Sequence, residues 1–114
     1  MGGWIQRVAV TGTSMVPALQ PGDRLLVRRT RYLRVGDLVV IRDPRQPARE
    51  VVKRVHAVAR DAGVDVRGDA PGASTDSRSF GTVPWALVVG RVWYRYAPAE
   101  RAGPVRSSSR SASP

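Results

Sequence analysis

Val51-Val52-Lys53-Arg54-Val55-His56-Ala57-Val58 carries the only lysine of the chain inside a run dominated by valine. The run is β-branched and bounded by charge, so it reads as a strand. Side chains of a strand alternate between faces. Val51, Lys53, Val55 and Ala57 therefore share one face, and Val52, Arg54, His56 and Val58 share the other. Lys53 has only apolar company on its face. An ammonium there is costly to bury and tends toward the neutral amine. The expectation is a largely buried amine with a pKa far below that of a free lysine. The structural alternative is a lysine that snorkels from the strand to water.

Reading outward, short strands separated by turns recur along the chain. Ile5 to Val10, Arg24 to Arg28, Leu38 to Ile41, Val64 to Arg67 and Val88 to Tyr96 each read as one. Turns at Pro21-Gly22-Asp23, Gly36-Asp37, Asp43-Pro44 and Gly68-Asp69 separate them. In the last strand Val88, Gly90, Val92, Tyr94 and Tyr96 are expected on one face, with Val89, Arg91, Trp93 and Arg95 on the other. Helical signal is slight: a short helix after Ser14 and one turn over Pro84 to Leu87. The fold class is mainly β, a small domain of short, mostly antiparallel strands with little helix. Residues 1–98 are read as the folded domain. Residues 99–114 are rich in Arg, Ser and Pro and are read as a disordered tail, because they hold too little apolar surface to offset ordering entropy.

At 114 residues the chain supports one domain with one core. It has no cysteine, which excludes disulfides, thiol catalysis and cysteine metal sites. One histidine cannot build a multi-histidine metal centre, so neither metal nor cofactor is expected. No apolar run reaches the length of a transmembrane helix, and Arg7 interrupts the start of the chain where a signal-peptide core would lie. The expected location is cytoplasmic or peripheral at a membrane. Of the 19 basic residues 18 are arginine, and the net charge is +10. That balance defines a second reading, a non-enzymatic basic β module for nucleic acid or anionic membrane. No basic-aromatic repeat or nucleic-acid module accompanies the charge, and no nucleic-acid partner is expected.

Three features carry chemistry: Ser14 in Gly12-Thr13-Ser14-Met15-Val16-Pro17, Lys53, and the long polar loop from Gly68 to Gly81. A serine hydroxyl needs a neighbouring base to become a nucleophile. A neutral lysine amine supplies one, whereas arginine keeps its proton at any ordinary pH. Ser14 also suits a helix N-cap, which would bring unpaired backbone N–H groups beside the hydroxyl to hold an oxyanion. Gly12 permits close approach of a substrate to the backbone. His56 is the rival base, but strand parity places it on the opposite face from Lys53, as a surface or edge histidine.

These blocks, in this order, resemble the catalytic domain of type I signal peptidases and their soluble relatives, which are Ser/Lys endopeptidases. The resemblance runs from about Val8 to Pro98. Gly12 to Leu19 with Gly22-Asp23 is similar to the nucleophile box, Gly36 to Val40 to the strand that follows, and Val52-Lys53-Arg54-Val55 to the base box. Gly68-Asp69-Ala70 through Ser74-Thr75-Asp76-Ser77-Arg78-Ser79-Phe80-Gly81 resembles the last box, and Gly90 to Tyr96 the closing strand.

The resemblance implies Ser14 as nucleophile and Lys53 as general base within hydrogen-bond reach of it, with Ser74 orienting the amine. It implies a structural ion pair between Asp76 and Arg78, and Met15 in the pocket for the residue before the cut. The implied partner is a precursor protein or peptide bound in extended form, beside the strand before Ser14 and the residues before Lys53. Membrane contact is compatible with this, without a transmembrane segment. Gly12 stands where many bacterial members carry a serine, so the oxyanion hole would rest on backbone N–H groups, notably that of Ser14. Ala18 and Ala70 replace a common threonine and asparagine. The membrane segments and large second β domain of typical members are absent from the sequence. Short relatives include the maturation proteases of nickel-type superoxide dismutase, which implies propeptide removal as a narrower role. Self-cleaving repressors share the dyad, but no Ala-Gly or Cys-Gly pair precedes Ser14, and autocleavage of that type is not expected.

Overall fold

Leu38-Val39-Val40-Ile41 is apolar without alternation, and it becomes a strand buried on both faces. In the computed structural model, which describes residues 4–70 and 81–105, this strand lies between two apolar clusters. Leu38 and Val40 pack into the first with Val8, Leu25 and Val27. Val39 and Ile41 pack into the second with Val55, Val64 and Val66.

The strands are β1 (Ile5–Ala9), β2 (Arg24–Arg28), β3 (Leu38–Asp43), β4 (Gln46–Ala59), β5 (Gly63–Arg67), β6 (Val83–Pro84), β7 (Val88–Ala97) and β8 (Gly103–Pro104). They form one sheet in the order β1-β2-β7-β3-β4-β5-β6, with β8 on β7. Every pairing is antiparallel. The mainly β fold class read from the sequence is the one observed. Among the described residues no helix is long and apolar enough to cross a membrane.

Three local departures have physical causes. No helix forms after Ser14; residues 14–18 make turns instead. Pro17 removes a donor and disfavours helical backbone at Val16, and Pro21-Gly22 follows within a turn. The expected turn near Pro84 does form, as a 3-10 turn over Trp85–Leu87. β4 extends back to Gln46, because its pairing with β3 carries the exposed Gln46 to Arg49 along.

In β7 the single alternation fails. Leu26 pairs with Tyr94 and Val27 with Val92, while Val40 pairs with Gly90 and Ile41 with Val88. Each shift inserts an extra β7 residue, and such bulges re-aim the side chains that follow. Val88 consequently packs with the second cluster and Val92 with the first. Residues 99–105, grouped with the tail by composition, hold a 3-10 turn (Ala99–Arg101) and β8. Residues 106–114 lie outside the described residues.

Candidate active site

Two strand edges lack a neighbour and face one another. β1 pairs only with β2, and β4 meets β5 only from Arg54 onward. Between these edges lies a cleft of about 320 Å³, lined by Ala9 to Met15 on one side and by Asp43 and Arg49 to Lys53 on the other. Ser14 and Lys53 are both in this lining.

Lys53 is 4% exposed. Its parity neighbours Val51 and Val55 belong to the second cluster, while Val52 packs into the first. The strand thus buries both faces at this point, and the amine has an apolar approach. His56 is the extra residue at a register shift, because Val55 pairs with Val66 and Ala57 with Asp65. It is exposed and does not line the cleft.

Ser14 is half-buried at the start of a turn whose backbone bonds run from Val16 N–H to Thr13 O (3.1 Å) and from Leu19 N–H to Met15 O (2.8 Å). Among the described residues, the backbone N–H groups of Ser14 and Met15 donate to no acceptor. The Ser14 hydroxyl makes no hydrogen bond there either, so it and the Lys53 amine share the cleft without a direct bond. Met15 is 2% exposed, packs in the first cluster and also contributes to the lining. Gly12 is exposed, and a Cβ built there would meet nothing within 4 Å.

Two ion-pair systems hold these elements, and neither was assigned a role from the sequence. Arg54, next to Lys53, donates from Nε and Nη2 to the two carboxylate oxygens of Asp69 (3.1 and 2.5 Å) and from Nη1 to Gly36 O (3.0 Å). The Ala70 N–H then donates to Ser14 O at 2.8 Å. The β4 strand and the turn carrying Ser14 are thereby tied to the same short segment, Gly68 to Ala70. Asp23, 1% exposed, accepts from Gln20 N–H (2.9 Å), Arg95 Nη1 (3.2 Å) and Arg101 Nη2. Arg95 also donates to Ala18 O (3.0 Å) and Arg101 O (2.6 Å). Polar Arg54 on the face opposite Lys53, and the lone acid of Gly22-Asp23, were the available sequence signals. Their partners lie 15 and 72 to 78 residues away. Ser74, Asp76 and Arg78 lie outside the described residues.

Comparison with protein families matches residues 2–69 to signal peptidase, peptidase S26. The chain is 38% identical over 120 residues to mitochondrial ATP-independent inner membrane protease subunit 1b of Arabidopsis thaliana, covering 82% of this chain and 71% of that protein. It is 32% identical over 124 residues to mitochondrial inner membrane protease subunit 1 of Xenopus tropicalis, covering 89% and 74%. The human protein of that name is 28% identical over 124 residues, covering 89% and 75%.

Proposed function

The chain belongs to the signal peptidase family, peptidase S26, and is a protease; we propose that it works as a serine endopeptidase with a Ser14–Lys53 dyad. The observation that carries this reading is that the sole lysine, 4% exposed, lines the same cleft as Ser14. Burial disfavours the charged ammonium, as a general base requires. The Lys53 amine takes the proton from Ser14 Oγ as Oγ bonds to the substrate carbonyl carbon. It passes that proton to the leaving amine as the peptide bond breaks. Water, giving its proton to the same amine, then releases the acyl group from Ser14. The contact between hydroxyl and amine tightens when the substrate carbonyl engages the site, as catalytic hydrogen bonds commonly do.

The N–H groups of Ser14 and Met15, which donate to no acceptor among the described residues, suit the developing oxyanion, with Gly12 leaving the approach open. The open edges of β1 and β4 suit an extended peptide adding as a strand. By family resemblance Ser74 orients the amine, the pair Asp76–Arg78 braces its loop, and Met15 shapes the pocket for the residue before the cut. The substrate is a precursor protein that loses an N-terminal signal or propeptide, with a nickel superoxide dismutase precursor as one specific case. The chain acts in the cytoplasm or peripherally at a membrane.

The test is processing of such precursors by wild type, Ser14→Ala, Lys53→Arg and Ser74→Ala. Cleavage disappears in the first two variants and falls about 10- to 100-fold in the third. Lys53→Arg retains positive charge but not a base, so cleavage by that variant at the wild-type rate would refute the dyad.

A further inference from the structure

Arg28-Arg29-Thr30-Arg31-Tyr32-Leu33-Arg34-Val35 sets four arginines around three apolar side chains, with no acid among them. The segment leads from the end of β2 toward the turn before β3. Within it only Leu33 is buried, in the second cluster. Tyr32 and Val35 stand out at 79% and 51% exposed. The backbone is pinned, so this exposure is built into the segment. Tyr32 N–H donates to Thr30 Oγ1 (3.0 Å), Arg34 N–H to Asp37 Oδ2 (2.9 Å) and Gly36 N–H to Val55 O (2.9 Å). Arg29 N–H donates to Trp4 O at 2.9 Å. That bond sets a second exposed pair, Trp4 and Ile5 (66% and 40%), beside the segment.

The cations of this surface have no counter-ion among the described residues: Arg28, Arg29, Arg31, Arg34 and Arg91 form no ion pair there. Ile5, Arg28 and Arg91 follow one another across β1, β2 and β7 in register. Residues opposite one another share a face of the sheet, and like charges so placed repel. Exposed rings and crowded guanidinium groups are each unfavourable in water. A single partner that is both apolar and anionic relieves both.

We propose that Trp4, Ile5 and segment 28–35 form a docking surface for an anionic lipid bilayer. Lipid phosphates supply the missing counter-ions, and the forked donors of arginine match phosphate oxygens. Trp4 and Tyr32 suit the headgroup level, where an apolar ring with a polar edge is best placed. Ile5 and Val35 reach the acyl boundary beneath. A nucleic acid would also meet the arginines and stack on the rings, but it offers nothing to the two branched aliphatic side chains. The inference rests on the peripheral location proposed above and not on the dyad. β1 runs from Ile5 to Ala9 of the cleft lining, about 13 Å at the rise of a strand. Docking at this surface therefore holds the cleft close to the lipid.

The experiment is co-sedimentation of the full chain with vesicles of phosphatidylcholine, alone or with about 30% phosphatidylglycerol. Wild type is expected to bind the phosphatidylglycerol vesicles at least about tenfold more tightly. The difference shrinks as salt is raised from about 50 to about 500 mM, a readout that requires no variant. Arg31→Gln weakens binding about fivefold, and Arg29→Gln with Arg31→Gln about 25-fold. Arg60→Gln removes the same charge at the β4–β5 turn and stays within about twofold of wild type. Trp4→Ser and Tyr32→Ser each weaken binding at least about tenfold. Absence of binding to phosphatidylglycerol vesicles overturns the inference. Tighter binding to a short DNA duplex at equal phosphate concentration overturns it in favour of nucleic acid. Vesicle binding that survives every one of these substitutions leaves the peripheral location standing and refutes this surface. Ser14→Ala binds as wild type does, so the result stands or falls apart from the dyad.

Discussion

Lys53 places an ionisable side chain inside the sheet, 4% exposed. A buried amine loses hydration, and valines flank it along its face of β4. Met matches the lysine stem in length and suits the apolar residues along that face. Lys53→Met is therefore expected to stay folded, with Tm within about 5 °C of wild type and cleavage lost. A thermal melt checks this, and a large drop in Tm would mean that the amine is a structural group first. Gly12 presents the opposite case. With open space around its missing Cβ, Gly12→Ser should leave Tm within about 2 °C of wild type, since surface changes rarely exceed about 0.5 kcal/mol. It would add a hydroxyl next to the proposed oxyanion position, so kcat is expected to be retained or raised.

Elements are placed here by contacts that span most of the chain. Asp23 fastens the turn carrying Ser14 to β7 and to the segment after it. Asp23→Asn removes the charge that two arginines share and is expected to destabilise by about 2–4 kcal/mol. Denaturant unfolding with an unchanged m-value would measure it. Truncation after Ala97 removes Arg101 and β8, and should lower Tm far more than truncation after Val105, which keeps both. Gly90 marks where β7 lies against β2, because a Cβ there would collide with the Arg28 carbonyl. Gly90→Ala should cost about 1–3 kcal/mol through overpacking.

What local pattern encodes was legible in advance: the parity that buries Lys53, the apolar run of β3, and the exact span of β2 over Arg24–Arg28. The bulges of β7 were not, because they arise from register with two different partners. Nor were the partners of Asp23 and Arg54, since a sequence names an ion but not what the fold brings to it. Strands as short as Val83–Pro84 and Gly103–Pro104 leave no periodicity to read.

At the scale of the molecule, the path of the sheet builds the site. β7 enters between β2 and β3, so the sheet places β1 at one end of the order and β4 well along it. The β1–β4 cleft then opens where strand addition has a free edge on either side. Two apolar clusters meet across β3, and Lys53 lies on the next strand, directly opposite Val39 in register. Fold and chemistry converge on one testable event, transfer of an acyl group to Ser14. The direct measurement is acid-quenched single turnover of a peptide p-nitrophenyl ester ending in alanine, with the adduct located by peptide mass spectrometry. The account predicts an ester adduct on Ser14 in wild type, none in Ser14→Ala, and acylation slowed at least about a thousandfold in Lys53→Arg. An adduct on another residue, or wild-type acylation in Lys53→Arg, would contradict it.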